Sequence, residues 1–396
     1  MDIRFLVDID KDQKTGLFNA VVQRVQCVEQ PVVYNLSYVD SVVVRLFKKI
    51  LRAKPKSAKT PFEIDGIRFI PIHVPAGILH YVSRKFGIFY RLSTSRSAVR
   101  VRRALGAGTF LLSAHWGKTA GLVAYLVGRR SGLPFVVTYH GSDINNLPGR
   151  LYGLRGMIVS SLENAQANIF VSNALLTQAR ALGYSRKNAV VIHNGVDISK
   201  YSSARRIVER RPPYSTSANR PIVIGFVGNM WHVKGADFLP DICNAILASI
   251  EDTRFVFAGD GEFRAAIEAR VPNSHIKLLG LVDPVRIPEV MSELDLLIIP
   301  SRNEGLPLVL LEALATGIPV VASKVGGIPE VLDDALLVEP GEGFVDRFVG
   351  KVLEVIDSLP RPTLDRSLDW TNIRAAERQP YESILQPQLD KISKDS

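Results

Sequence analysis

Cysteine is nearly absent from this 396-residue chain, which has only Cys27 and Cys243, far apart in sequence. Two such thiols make neither a disulfide framework nor a zinc site, and a reducing compartment, the cytoplasm, is expected. Long apolar runs are also missing. The longest, Leu306 to Ser323, is broken by Glu312, Gly317 and Pro319, whereas a spanning helix needs roughly 20 predominantly apolar residues. The opening stretch, Met1 to Asp10, lacks a basic segment followed by a long apolar one and reads as a first strand, not a secretory signal. No His-Glu-x-x-His or EF-hand loop occurs, so neither a metal nor any other cofactor is expected. Gly117-Lys118-Thr119 is not a P-loop, because Leu112 stands where the earlier glycine belongs.

Acidic residues are scarce in the first half. Residues 1–200 hold 28 Lys+Arg against 11 Asp+Glu and residues 201–396 hold 21 against 28, so a net charge of +10 divides into +17 and −7. The two halves are expected to face different partners.

Short β-rich runs alternate with helical stretches along the whole chain, as in Phe110 to Ser113, Pro134 to Thr138 and Ala167 to Val171. That rhythm predicts an α/β fold of βα units with parallel sheets. A basic, proline-containing stretch from Ser202 to Arg220 interrupts it, and the alternation resumes at Ile222 to Val227. The length suits two domains. We expect an N-terminal Rossmann-like domain over 1–205, a linker over 206–220, a second Rossmann-like domain over 221–365 and a C-terminal helix over 366–396.

Three strand ends carry chemistry. Glu304-Gly305-Leu306-Pro307-Leu308-Val309-Leu310-Leu311-Glu312 follows the strand Asp295 to Pro300 and opens a helix. Ligands of open α/β sheets lie beyond the carboxyl ends of the strands, so both glutamates could accept hydrogen bonds from sugar or ribose hydroxyls. Taken singly, Glu304 could equally sit in a solvated turn and Glu312 on an exposed helical face. Gly225 to Gly235 gives a strand, a turn at Gly228-Asn229 and Lys234 just before a helix. A lysine beside a helix N-terminus suits a diphosphate whose leaving oxygen gains charge, although alone it could be an ordinary surface lysine. In the first half, Phe135 to Asp143 ends a strand with His140-Gly141-Ser142-Asp143, and Ser113-Ala114-His115-Trp116 ends another.

These segments resemble, in order and spacing, the retaining glycosyltransferases of the GT-B fold often grouped as family 4. Pro300-Ser301 with Glu304 and Glu312 matches the family's Pro-Ser strand end and E-x7-E signature, and His140 to Asp143 its His-Gly-x-Asp. Phe257 to Glu262, Val191 to Asp197 and the Gly326-Gly327 turn match further recurring segments, the last two read here as structural. The resemblance implies two facing Rossmann-like domains with the site in the cleft between them and a terminal helix from Trp370 returning to the N-terminal domain. It also implies roles. Glu312 would bind the donor ribose, and Glu304 the transferred sugar or its developing charge. His140 would lie near the reacting carbon, with Lys234 on the diphosphate. Gly259 would lie near the base and Gly16, in Lys14-Thr15-Gly16-Leu17, would let backbone approach phosphate. His115 and Asp143 would serve the acceptor side, Asp143 orienting either the loop or the acceptor. One departure stands out: the family's arginine after the second glycine is Asn229 here.

The expected partners are a nucleotide-sugar donor and a glycan or lipid-linked acceptor. Between Arg45 and Arg103 there are 15 Lys+Arg and only two acids, Glu63 and Asp65, which suggests an anionic partner. Val43, Leu46, Phe47, Ile50 and Leu51 share one helical face while Arg45, Lys48, Lys49 and Arg52 fall largely on the other, and Ile78 to Arg91 mixes aromatics with cations. This suits docking on the inner face of the cytoplasmic membrane; the alternative is core packing beneath a solvated basic surface. No nucleic-acid module is recognisable, and no nucleic-acid partner is expected. Two rival functions remain at this stage: a sugar-nucleotide epimerase on the same scaffold, and a non-catalytic polyanion- or membrane-binding protein.

Overall fold

The computed structural model describes residues 2–10, 16–50, 52–86, 90–145, 152–210 and 220–392, without side chains at 84–86, 152, 210 and 387–392. Most of the linker expected over 206–220 lies outside these residues, as do Lys14, Thr15 and Leu51. The chain forms two compact units, one of Met1–His193 with Ile373–Ser396 and one of Asn194–Asn372.

Among the described residues the first unit is built on eight strands: β1 (Ile3–Val7), β2 (Val32–Asp40), β3 (Phe62–Ile64), β4 (Ile67–Ala76), β5 (Leu111–His115), β6 (Phe135–Tyr139), β7 (Ala167–Phe170) and β8 (Ala189–Val191). They lie in the order β3-β4-β2-β1-β5-β6-β7-β8. All pairings are parallel except the β3–β4 hairpin. Every residue of β5, β6 and β7 is buried, as expected for central parallel strands covered on both faces. The helices are α1 (Gly16–Val25), α2 (Val42–Ile50), α3 (Ile78–Phe86), α4 (Tyr90–Ala104), α5 (Leu122–Ser131), α6 (Tyr152–Asn164) and α7 (Asn173–Ala181).

The second unit starts with α8 (Ile198–Arg210) and holds β9 (Ile222–Val227), α9 (Leu239–Ser249), β10 (Thr253–Ala258), α10 (Arg264–Arg270), β11 (Ile276–Gly280), α11 (Ile287–Glu293), β12 (Leu296–Ile299), α12 (Leu308–Thr316), β13 (Val320–Ser323), β14 (Leu337–Val338) and α13 (Phe344–Ser358). Its six parallel strands lie in the order β11-β10-β9-β12-β13-β14, which is the doubly wound Rossmann order. The core joins Ile224 and Phe226 of β9, Phe255 and Phe257 of β10 and Ile298 of β12 to Ile242 and Ile246 of α9 and Phe348 and Val352 of α13. Full burial of each such side chain stabilises the fold by about 1.5–3 kcal/mol.

Two boundaries differ from expectation. The first unit ends at His193, upstream of the anticipated linker, and α8 belongs with the second unit because it packs on α11 and α12. The last helix, α14 (Trp370–Ile392), joins the first unit from Ile373 and not from 366. Within the second unit its first and last residues lie side by side, where the Val196 amide donates to Leu368 and the Trp370 amide to Val196. Within the first unit Glu377 of α14 pairs with Arg24 of α1, both side chains fully buried. Arg24 also donates to the carbonyls of Ile192 and His193 at 2.7 and 2.9 Å.

Candidate active site

In the second unit β9 and β12 are neighbours whose connections run to opposite sides, β9 to β10 and β12 to β13. Ligands of doubly wound sheets bind at this switch point, because the loops leaving the two strands diverge there. The loop after β9 carries Gly228, Asn229 and a short turn over His232–Lys234. The loop after β12 carries Ser301, Arg302 and Glu304 before α12 begins at Leu308.

The two loops meet through side chains. The Lys234 ammonium donates to both carboxylate oxygens of Glu304, at 2.7 and 2.8 Å, and the Ser301 hydroxyl donates to one of them at 2.7 Å. Glu304 is 8% exposed and the Lys234 side chain 31%, so the pair is reachable from one side. Arg302 fastens the loops further. Its guanidinium forks onto Asp237, donates to the His232 carbonyl at 2.8 Å and lies 3.8 Å from the Phe238 ring centre. Backbone contact is as close. Gly326 has φ +56°, and a Cβ there would lie 2.0 Å from the Glu304 carbonyl oxygen; at Gly235 it would lie 1.9 Å from that of Pro300. Only glycine permits either approach.

Glu312 points elsewhere. It sits on α12 beside α8, where burial pushes its carboxyl up while the Tyr201 hydroxyl and the Lys200 ammonium pull it down. The segment between the two glutamates is held by Asn194, whose side-chain amide donates to the Leu306 carbonyl at 2.8 Å. Gly305 accepts from the Gly327 amide at 2.7 Å. Gly259 presses on the loop after β9, since a Cβ there would lie 1.9 Å from the Gly228 carbonyl oxygen.

In the first unit His115 ends β5 and His140 follows β6, and their rings meet Nδ1 to Nε2 at 3.3 Å. Burial pushes the His115 imidazole down to about 3, with the Arg24 charge adding to it, and burial also holds His140 well below its usual range. His115 Nε2 is buried without a hydrogen-bond partner among the described residues, so no group stands ready to stabilise a charged ring. Both histidines are neutral near pH 7. Asp143 is fully buried and accepts from the amides of Gly117 (2.8 Å), Gly141 (2.9 Å) and His140 (3.2 Å). Those amides saturate its carboxylate, so it orients the loop. Trp116, between His115 and Gly117, has φ +79°, a left-handed backbone that costs an aromatic residue strain. Gly16 is the first residue of α1, exposed and with open space around it.

Residues 221–358 match the family described as Glycosyl transferases group 1, and residues 57–200 match Glycosyltransferase Family 4. The chain belongs to these glycosyltransferases. It is 29% identical over 325 residues to an uncharacterized glycosyltransferase of Methanocaldococcus jannaschii, covering 78% of this chain and 85% of that one. It is 27% identical over 303 residues to TuaC of Bacillus subtilis, a glycosyltransferase named for teichuronic acid biosynthesis, covering 76% and 74%. A crystal structure of HepE from Anabaena in complex with UDP-glucose aligns with a TM-score of 0.65 at 17% identity, covering 97% of this chain and all of the other. The fold is GT-B.

In this glycosyltransferase the second unit thus brings Gly228, Asn229, Lys234, Gly259, Glu304, Gly305 and Leu306 to one switch point and sets Glu312 against α8. His115, His140 and Asp143 form a second cluster in the first unit, and Gly16 joins no side-chain cluster among the described residues. Sequence reading missed Arg302, Asp237 and Tyr201 and took Asn194 and the Gly326-Gly327 turn as merely structural. Their link to Glu304 and to the Glu312 helix is a long-range contact, and only the Gly-Gly after a strand signalled a close approach. Among the described residues no three His, Cys, Asp or Glu side chains converge as a metal site would require.

Proposed function

We propose that the chain transfers a hexose from a nucleotide-sugar donor, with retention at the anomeric carbon, to a glycan or lipid-linked acceptor in cell-surface polysaccharide or glycolipid synthesis. The observation that carries this reading is the Lys234–Glu304 pair at the switch point of the second unit. Lys234 places a cation where a leaving diphosphate gains charge, and Glu304 positions it while offering oxygens to the sugar hydroxyls. Glu312, held high by burial, takes the ribose. A neutral His140 donates or accepts a hydrogen bond at the sugar without bringing a charge. Asn229 in place of an arginine leaves Lys234 as the principal cation on the diphosphate. The UDP-glucose bound by HepE supports a nucleotide-sugar donor, and the naming of TuaC supports a surface polysaccharide.

Among the described residues no helix is long and apolar enough to cross a membrane. We place the protein in the cytoplasm, with its basic residues 45–103 holding the first unit on the anionic inner face of the membrane.

The test is a thermal-shift panel of UDP-, GDP-, ADP- and CMP-sugars on wild type and Glu312→Ala, because a ligand selective for the native state raises its apparent stability. A shift with one donor that is lost in the variant supports the reading. No shift with any donor counts against it. Product NMR showing an inverted anomer would overturn retention alone.

A further inference from the structure

The helix α2 is turned inside out. Of its nine residues only Val44 is buried, while Val42, Val43, Leu46, Phe47 and Ile50 are 59–79% exposed. Two of its cations are tied back to the protein. The Arg45 guanidinium donates to the Asp40 carbonyl at 2.9 Å and the Lys48 ammonium to the Asp40 carboxylate at 2.9 Å. Tyr81 of α3 donates to the same carboxylate and lies 3.2 Å from Lys48. This knot fixes the helix by its cations and leaves a contiguous apolar face in water, which folding alone does not favour. Core packing does not account for the apolar residues.

Charge decides what covers that face. No acid occurs between Asp40 and Glu63, whereas the exposed Lys49 lies in the last turn of the helix and the exposed Arg52 and Lys54 follow it. Ile78, at the start of the α3 that carries Tyr81, is also 60% exposed. A second copy of this chain would bring like charges together. An anionic lipid surface satisfies both features, taking apolar side chains below the headgroups and cations among them.

We infer that the first unit docks on anionic membranes by inserting Leu46, Phe47 and Ile50 of α2, with Lys49, Arg52 and Lys54 at the headgroups and the Asp40 knot holding the helix flat. The inference rests on the membrane placement proposed above and names the residues that make it; its test uses no sugar chemistry, so it can fail while the transferase reading stands.

The experiment is co-sedimentation of the full chain with vesicles of equal parts phosphatidylglycerol and phosphatidylcholine, and with phosphatidylcholine alone, at low and high salt. The expected result is binding to the anionic vesicles that falls at least tenfold in a Leu46→Ser/Phe47→Ser variant. A Lys49→Glu/Arg52→Glu variant should also lose binding, and with it the salt dependence, since each headgroup cation contributes about fivefold. Phe47→Cys carrying an environment-sensitive dye reads insertion directly, because Cys27 and Cys243 are buried; its emission should shift blue with anionic vesicles. Failure of the wild type to bind at low salt, or equal binding by the serine variant, overturns the inference. So does a wild type that is dimeric without lipid, together with a Phe47→Cys dye that is already shielded before vesicles are added.

Discussion

The Lys234 ammonium sits between the two carboxylate oxygens of Glu304, at 2.7 and 2.8 Å, although 70 positions separate them in the chain. Each side chain fixes the other, and the pair exists only because β9 and β12 are adjacent in the sheet.

Lys234→Ala should therefore do two separable things. Turnover should fall about 100- to 1000-fold, as when a donor to developing charge is removed, and stability should drop by about 1–2 kcal/mol because the buried Glu304 loses its bidentate ammonium donor. Glu304→Gln should restore much of the stability but not the turnover. Urea melts and initial rates on the two single variants and the double variant give the coupling.

Gly326→Ala changes no side chain that could touch a ligand. It forces a left-handed residue and a Cβ against the Glu304 carbonyl, so it should cost at least about 1–2 kcal/mol. Either the melting temperature drops or the Glu304 loop moves. If the donor-induced thermal shift and the stability both survive, the role of this contact in placing Glu304 is wrong.

The buried histidines set a pH dependence. His115 is held at about 3 in the folded chain against 6.5 normally, so between these values the unfolded state binds more protons than the native one. Stability contributed by the neutral ring is complete above about pH 6.5 and is lost as pH falls towards 3, by up to about 1.4 kcal/mol per pH unit. His115→Gln should flatten the melting temperature between pH 4 and 6.5. An unchanged slope would show that other groups carry the acid sensitivity.

Asp143→Ala should leave the Gly117, His140 and Gly141 amides without their acceptor, at roughly 1–3 kcal/mol for each amide left dry. Asp143→Asn, which keeps one oxygen, should lose less. The unfolding free energies of the two variants check the order.

Arg24→Met should cost about 3–5 kcal/mol, since it strands the buried Glu377. A paired Arg24→Met/Glu377→Leu replacement should recover most of that loss, as measured by chemical unfolding.

Much of this was legible in the chain itself. The strand cores, Glu304 in a turn, Glu312 in a helix, Lys234 after a glycine turn and the histidines at two strand ends all follow from apolar periodicity and from glycines at the end of each run. Those are local signals, and an element's type depends on its own residues. Sequence alone also marked α2 as amphipathic and basic and suggested membrane docking, but left core packing of its apolar face as the alternative. Tertiary structure decided the rest. Periodicity shows that α2 has an apolar face but not that Asp40 ties down Arg45 and Lys48 and leaves that face outward. Strand order, a property of the whole sheet, brings Lys234 to Glu304. The allegiance of α8 rests on its packing against α11 and α12, and the loop-positioning parts of Arg302, Asn194 and Gly326 exist only as contacts between segments far apart in sequence. Local preference is written residue by residue, whereas a pairing is decided by which burial of the entire chain leaves the fewest apolar faces wet and the fewest polar groups unpaired.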